Sequence, residues 1–101
     1  STMNKIVPDP PPCPTTAPID FGVCKGAHPP LFSVRADADF EDALAHLSAA
    51  LTAAFQTNDQ LCEMLAPPMG DIAWSTYQSL EICQALCRAM LQGMQRQRLS
   101  A

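Results

Sequence analysis

The sequence predicts an all-α fold: a long antiparallel αα-hairpin behind an extended Pro-rich N-terminal arm, dimerising into a four-helix bundle. Three observations predict it. Phe40, Leu44, Leu47, Leu51, Ala54, Asn58, Leu61 and Leu65 follow one another at alternating steps of four and three, the seam of a helix packed lengthwise on another helix. After Pro67-Pro68, the residues Ala73, Thr76, Leu80, Cys83, Cys87, Met90 and Met94 repeat the spacing. Between the two runs stands only a short breaker, which forces antiparallel neighbours.

The first thirty residues form the expected arm. Eight of the ten prolines lie there, at positions 8, 10, 11, 12, 14, 18, 29 and 30. Proline fixes φ and donates no backbone hydrogen bond, so this segment is expected to be neither helix nor interior strand. Pro10-Pro11-Pro12-Cys13-Pro14 favours polyproline II, as a tether or as a docking ligand. Cys13, Cys24 and His28 carry metal-ligating groups, but their spacing is not that of a paired-ligand site and a fourth ligand is missing. No metal and no cofactor is expected.

Domain organisation then runs from residue 31 to 101. Leu31-Phe32-Ser33-Val34-Arg35 alternates like one short strand. A lone strand has no ladder partner within this chain, so it is expected either to lie over the helices, anchored by Phe32 and Val34, or to pair with its own copy in a second subunit. Asp37-Ala38-Asp39-Phe40-Glu41-Asp42 is a helix start: Asp39 or Asp37 can cap the first turn, and Glu41 and Asp42 set negative charge against the positive end of the dipole. The first helix should span about residues 39–66.

Asn58 interrupts the apolar seam. A buried amide is costly unless paired, and a register-fixing role suits it. Thr76, Ser79 or the Asn58 of a second subunit could satisfy it; the alternative is that Asn58 simply sits at a wet edge. Ala66-Pro67-Pro68-Met69-Gly70 ends the first helix, because proline cannot continue the hydrogen-bond ladder, and Asp71 is expected to cap a second helix over about residues 71–97. Leu51, near the middle of the first seam, should meet Leu86 and Cys87.

Both helices carry more apolar surface than one partner covers. Trp74, Tyr77, Ile82, Leu86 and Leu91 lie on arcs beside the second seam, and with Phe32 and Val34 they form the expected interaction surface. A two-fold dimer is the simplest way to cover the surplus. Charged residues make up only 16% of the chain against 48% hydrophobic ones, and a core of about seventy residues is marginal alone.

Composition narrows the function classes. A net charge of -4 argues against nucleic acid, whose phosphates need a positive footprint. Arg88, Arg96 and Arg98 complement a helix dipole at the C-terminal end. No apolar run reaches the roughly 20 residues of a membrane span, and five cysteines without framework spacing suit a reducing compartment. A cytoplasmic location and no membrane association are therefore expected. Cys83 and Cys87 share a helical face, with Cys62 near the turn on the other helix, yet no histidine is placed to activate a thiol. No Gly-rich phosphate loop exists either. An enzyme is not expected.

At Leu31-Phe32-Ser33-Val34, Asp37-Ala38-Asp39, Glu41, Ala43-Leu44, Ser48 and Leu51 the chain resembles a family of small proteins of unknown function from pseudomonads. That family shares a Pro-rich start, an LFxV stretch, an acidic linker and two alanine-rich helices. The resemblance implies a bacterial protein of the same architecture and brings no activity with it. The expected function is thus a non-enzymatic protein-interaction module, a small regulator or adaptor acting as a homodimer on an unidentified protein partner. The alternative is a small-molecule sensor or carrier with a pocket between the helices, lined by Met90, Met94, Trp74 and Tyr77.

Overall fold

The computed structural model describes residues 14–100. They contain β1 (Ile19–Phe21), β2 (Phe32–Val34), α1 (Phe40–Met64) and α2 (Met69–Ser100). The chain divides between Phe40 and Glu41 into two units. The Pro10-Pro11-Pro12 run and Cys13 lie outside the described residues.

The first unit corrects the all-α expectation. β1 and β2 form an antiparallel ribbon that pairs Ile19 with Val34, Asp20 with Ser33 and Phe21 with Phe32. The alternating stretch at Leu31–Arg35 therefore does have a ladder partner in its own chain. Pro18 immediately precedes β1 and Pro29-Pro30 stand before β2, so the three strand residues between them keep their donors, and a two-stranded ribbon asks nothing of an interior position. The rings of Phe21 and Phe32 stack at 5.6 Å.

Gly22 leaves β1 with φ at 83°, and a Cβ there would come within 2.7 Å of the Phe32 ring. Only glycine meets both conditions without strain. Below the ribbon Thr16 ties the ends of the unit together. Its N–H donates to the Ala38 carbonyl at 2.9 Å, its carbonyl accepts from the Asp37 N–H at 2.8 Å, and its hydroxyl donates to the Arg35 carbonyl at 2.6 Å. The tight turn this closes holds Asp37 at φ 64°, a conformation aspartate tolerates better than most residues.

The second unit is the expected antiparallel helical hairpin. α1 ends at Met64, and residues 65–68 connect it to α2. The second helix starts two residues earlier than the sequence indicated, at Met69, and runs on to Ser100. Asp71 accordingly stands in the first turn, where its charge complements the dipole, instead of ahead of it. The Pro68 carbonyl accepts from the Ile72 N–H at 3.4 Å. Pro67 and Pro68 precede the turn where proline's missing donor costs nothing. Gly70 is buried, and a Cβ there would collide with the Leu65 carbonyl oxygen. Its lack of a side chain lets the returning chain pass that close.

Direct contacts show the two helices running in opposite directions. From the open end to the turn, Glu41 meets Arg98, Leu44 meets Cys87, Thr52 meets Gln84, Phe55 meets Tyr77 and Asn58 meets Ala73. No helix among the described residues is long and apolar enough to cross a membrane.

Candidate interaction surface

The line along which the helices meet is rotated from the one the apolar periodicity marks. On α1 the buried and half-buried positions run Glu41, Leu44, Ser48, Leu51, Phe55, Asn58 and Cys62, with Ala43 and Asp59 half-buried beside that line. This is again a 3-4 series, sharing Leu44, Leu51 and Asn58 with the expected one. On α2 it is Ala73, Tyr77, Leu80, Gln84, Cys87, Leu91 and Met94, with Gly70 buried at the turn and Gly93 and Gln95 half-buried near the other end. Thr76, Cys83 and Met90, expected in this seam, are exposed; Tyr77, Gln84 and Leu91 replace them. One position is ~100° of helix, so substituting alternate members by their neighbours turns each seam by about 50°. Leu51 is half-buried in this seam, next to the Thr52–Gln84 contact.

This rotation brings polar groups inward, and Asn58, Gln84, Cys87 and Glu41 are each held. The Asn58 amide donates to the Ala73 carbonyl at 2.9 Å and lies 3.7 Å from the Cys62 sulfur. Its partner is thus a backbone oxygen of the facing helix, neither Thr76 nor Ser79. Because only one position along α2 offers that oxygen at that height, the bond fixes the register of the hairpin near the turn. Gln84 donates to the Thr52 hydroxyl at 3.3 Å, and the Cys87 thiol to the Leu44 carbonyl at 3.5 Å. At the open end Arg98 grips Glu41 with two bonds, at 3.0 and 3.2 Å. Burial, then the nearby Asp59 charge, pushes the Cys62 thiol up from its ordinary pKa.

What the seam leaves out is large and apolar. Leu47 is 47% exposed, Leu86 59%, Met90 52% and Ile72 63%, while no described side chain is fully buried. The distribution of this surface is one-sided. Thr52–Gln84 and Phe55–Tyr77 touch along one flank of the seam, so the positions on the other flank of each helix also adjoin one another. That second flank carries Leu47, Ala54 and Leu61 from α1 and Ile72, Cys83, Leu86 and Met90 from α2. The remaining positions of the same arc are Ala43, Ala50, Thr57, Thr76, Ser79 and Gln97, so it holds no aspartate, glutamate, lysine, arginine or histidine of its own, and Arg96 borders it near the open end, in a depression that Met90 and Gln97 also line. The Phe55–Tyr77 flank carries Glu41, Asp59, Glu63, Glu81 and Arg88.

The residues the sequence marked for interaction are spread over these surfaces. Phe32 and Val34 are exposed on β2, in the first unit. Tyr77 and Leu91 are half-buried in the seam. Trp74 packs its ring 5.1 Å from Tyr77, which in turn lies 4.7 Å from Phe55, giving a three-ring cluster on the charged flank. Ile82 faces away from the seam, and Leu86 is on the uncharged flank. Met90 and Met94 border a shallow depression with Gly93, Arg96, Gln97 and Ser100. It does not include Trp74 or Tyr77, which lie about 20 Å or more away along α2 at ~1.5 Å per residue. The four side chains considered for a ligand pocket are therefore not brought together.

Among the described residues no three His, Cys, Asp or Glu side chains gather as a metal would need. His28 turns its ring to the Pro29 carbonyl at 2.7 Å. Sequence reasoning placed Leu47, Leu61 and Met90 in the wrong surface and missed Glu41, Ser48 and Gln84 as seam residues. The signal that could have separated the flanks is the distribution of ionisable residues around each helix, which is one-sided where the apolar count is not. Comparison of the chain with protein-family models, curated proteins and solved structures gives no match.

Proposed function

We propose that this chain is a non-enzymatic protein-interaction module, a small regulator or adaptor that works as a homodimer of helical hairpins. The observation that carries the reading is the surplus of large apolar side chains on the outside of the hairpin, beside a seam that is thin and partly polar. Transfer of such side chains from water is worth about 25 cal/mol per Å², so a hairpin that leaves Leu47, Ile72, Leu86 and Met90 wet forgoes stabilisation that a partner supplies. A contiguous exposed apolar area of this kind marks an interaction site. A four-helix bundle made of two hairpins covers it with the geometry already used inside each hairpin.

Sedimentation equilibrium of the purified protein at micromolar concentration tests the reading. The expected mass is twice the 10.9 kDa of one chain. A single species at the monomer mass across the concentration range contradicts it.

A further inference from the structure

Granting the dimer just proposed, we infer that its interface is the uncharged flank of the hairpin and that the occupant of that flank is a second copy of this chain. The flank bearing Phe55, Tyr77 and Trp74 then stays outside the interface. The inference deepens the preceding reading, which does not by itself choose between the two sides.

Charge makes the choice. In a two-fold dimer the same patch meets itself, so every charge in the patch faces its own kind. On the Phe55 side that would set Glu41 with the Arg98 that holds it, and Asp59, Glu63, Glu81 and Arg88, against the same set, four carboxylates to two guanidiniums. Like charges juxtaposed across an interface repel, and burying them costs more again. The opposite flank has no carboxylate to desolvate and meets one cation, Arg96, only at its edge near the open end.

Size and shape agree. α1 is 25 residues long, ~37 Å at ~1.5 Å per residue. Two helices ~10 Å apart present a face ~20 Å wide. The product, roughly 700 Å², is near the ~800 Å² each partner contributes to a standard interface. Along its length the face is large, then small, then large. Leu61 and Ile72 stand near the turn, Leu47, Leu86 and Met90 toward the open end, and the small residues Ala50, Ala54, Ser79 and Cys83 between them. A two-fold axis through the middle lays small side chains on small ones, where helices can approach closely, and sets the large ones against each other at both ends.

The test compares Leu86→Glu with Trp74→Glu. Leu86 is 59% exposed and Trp74 50%; because Trp74 also packs on Tyr77, circular dichroism and urea denaturation check that each variant stays folded, and Leu47→Glu serves as a second probe of the uncharged flank. Dimer dissociation constants are read by sedimentation. Leu86→Glu and Leu47→Glu are expected to weaken the dimer by about 100-fold or more, since each places a carboxylate against its copy, and Trp74→Glu by less than about 3-fold. A dimer that survives both leucine variants, or one that Trp74→Glu alone dissociates, overturns the inference and leaves the dimer standing. A wild-type chain that never dimerises overturns both.

Discussion

The seam between the helices and the uncharged flank beside it share residue types but differ in what they ask of them. Inside the seam, Leu44 and Cys87 are buried next to Asn58, Gln84 and Glu41, each polar group held by a named partner. On the flank, Leu47, Leu86 and Met90 are exposed and no polar partner is prescribed. One surface buys uniqueness of register and the other retains apolar area. The apolar periodicity of the sequence lies along the border of the two, which is why it points to a helix pair without saying which face the pair uses.

The contrast is broken most severely at Asn58. Asn58→Asp leaves the shape and removes the donor, setting a carboxylate against the Ala73 carbonyl oxygen. With no cation within reach among the contacts the structure shows, the loss of unfolding free energy at neutral pH is expected to be about 3–5 kcal/mol. Urea denaturation measures it, and a loss below about 1 kcal/mol would mean that the amide is not the register pin described here.

A sharper comparison sets two leucines three residues apart. Leu44→Ala, in the seam, should cost about 2–4 kcal/mol as its contacts with α2 are emptied. Leu47→Ala should cost under about 1 kcal/mol in dilute protein, where the flank is wet, and more as concentration rises. Chemical denaturation at two protein concentrations separates them. Equal losses at both sites in dilute protein would restore the unrotated seam.

The smallest effect belongs to the open end. Arg98 is 61% exposed where it pairs with Glu41, and water and salt screen such a pair. Arg98→Ala should lower stability by about 0.5 kcal/mol or less, and the difference should vanish in 1 M salt. A salt-independent loss would mean that the pair works through packing of its side-chain stems.

The hairpin was legible because a sustained 3-4 repeat and two adjacent prolines have few other physical meanings. The existence of both helices, the short turn and the antiparallel course follow from that alone. The rotation of the seam did not follow, since Leu44, Leu51 and Asn58 belong to both the apolar series and the packed one. Which neighbours join them depends on Asn58 finding the Ala73 carbonyl and on Gly70 letting the turn close, and both are tertiary facts. The ribbon escaped for a different reason. Ile19-Asp20-Phe21 is too short to show a period, and the prolines around it hide a strand that needs only three residues. Among the candidate interaction residues, Trp74 and Tyr77 do come together, but Phe32 and Val34 belong to another unit and Leu86 to the opposite flank. Apolar character alone does not tell these apart.

The native cysteines give the most direct test of the division between seam and flank. Cys62 and Cys87 are buried in the seam, Cys83 is exposed on the flank and Cys24 is exposed in the first unit. Alkylation by N-ethylmaleimide, followed site by site through peptide mass spectrometry over a dilution series, reads each environment at once. Cys62, buried and with its thiolate disfavoured, is expected to react slowly at every concentration, Cys24 fast at every concentration, and Cys83 to pass from fast to at least about tenfold slower as the dimer forms. Fast reaction of Cys83 in a protein that sediments as a dimer would place the interface elsewhere and contradict the account.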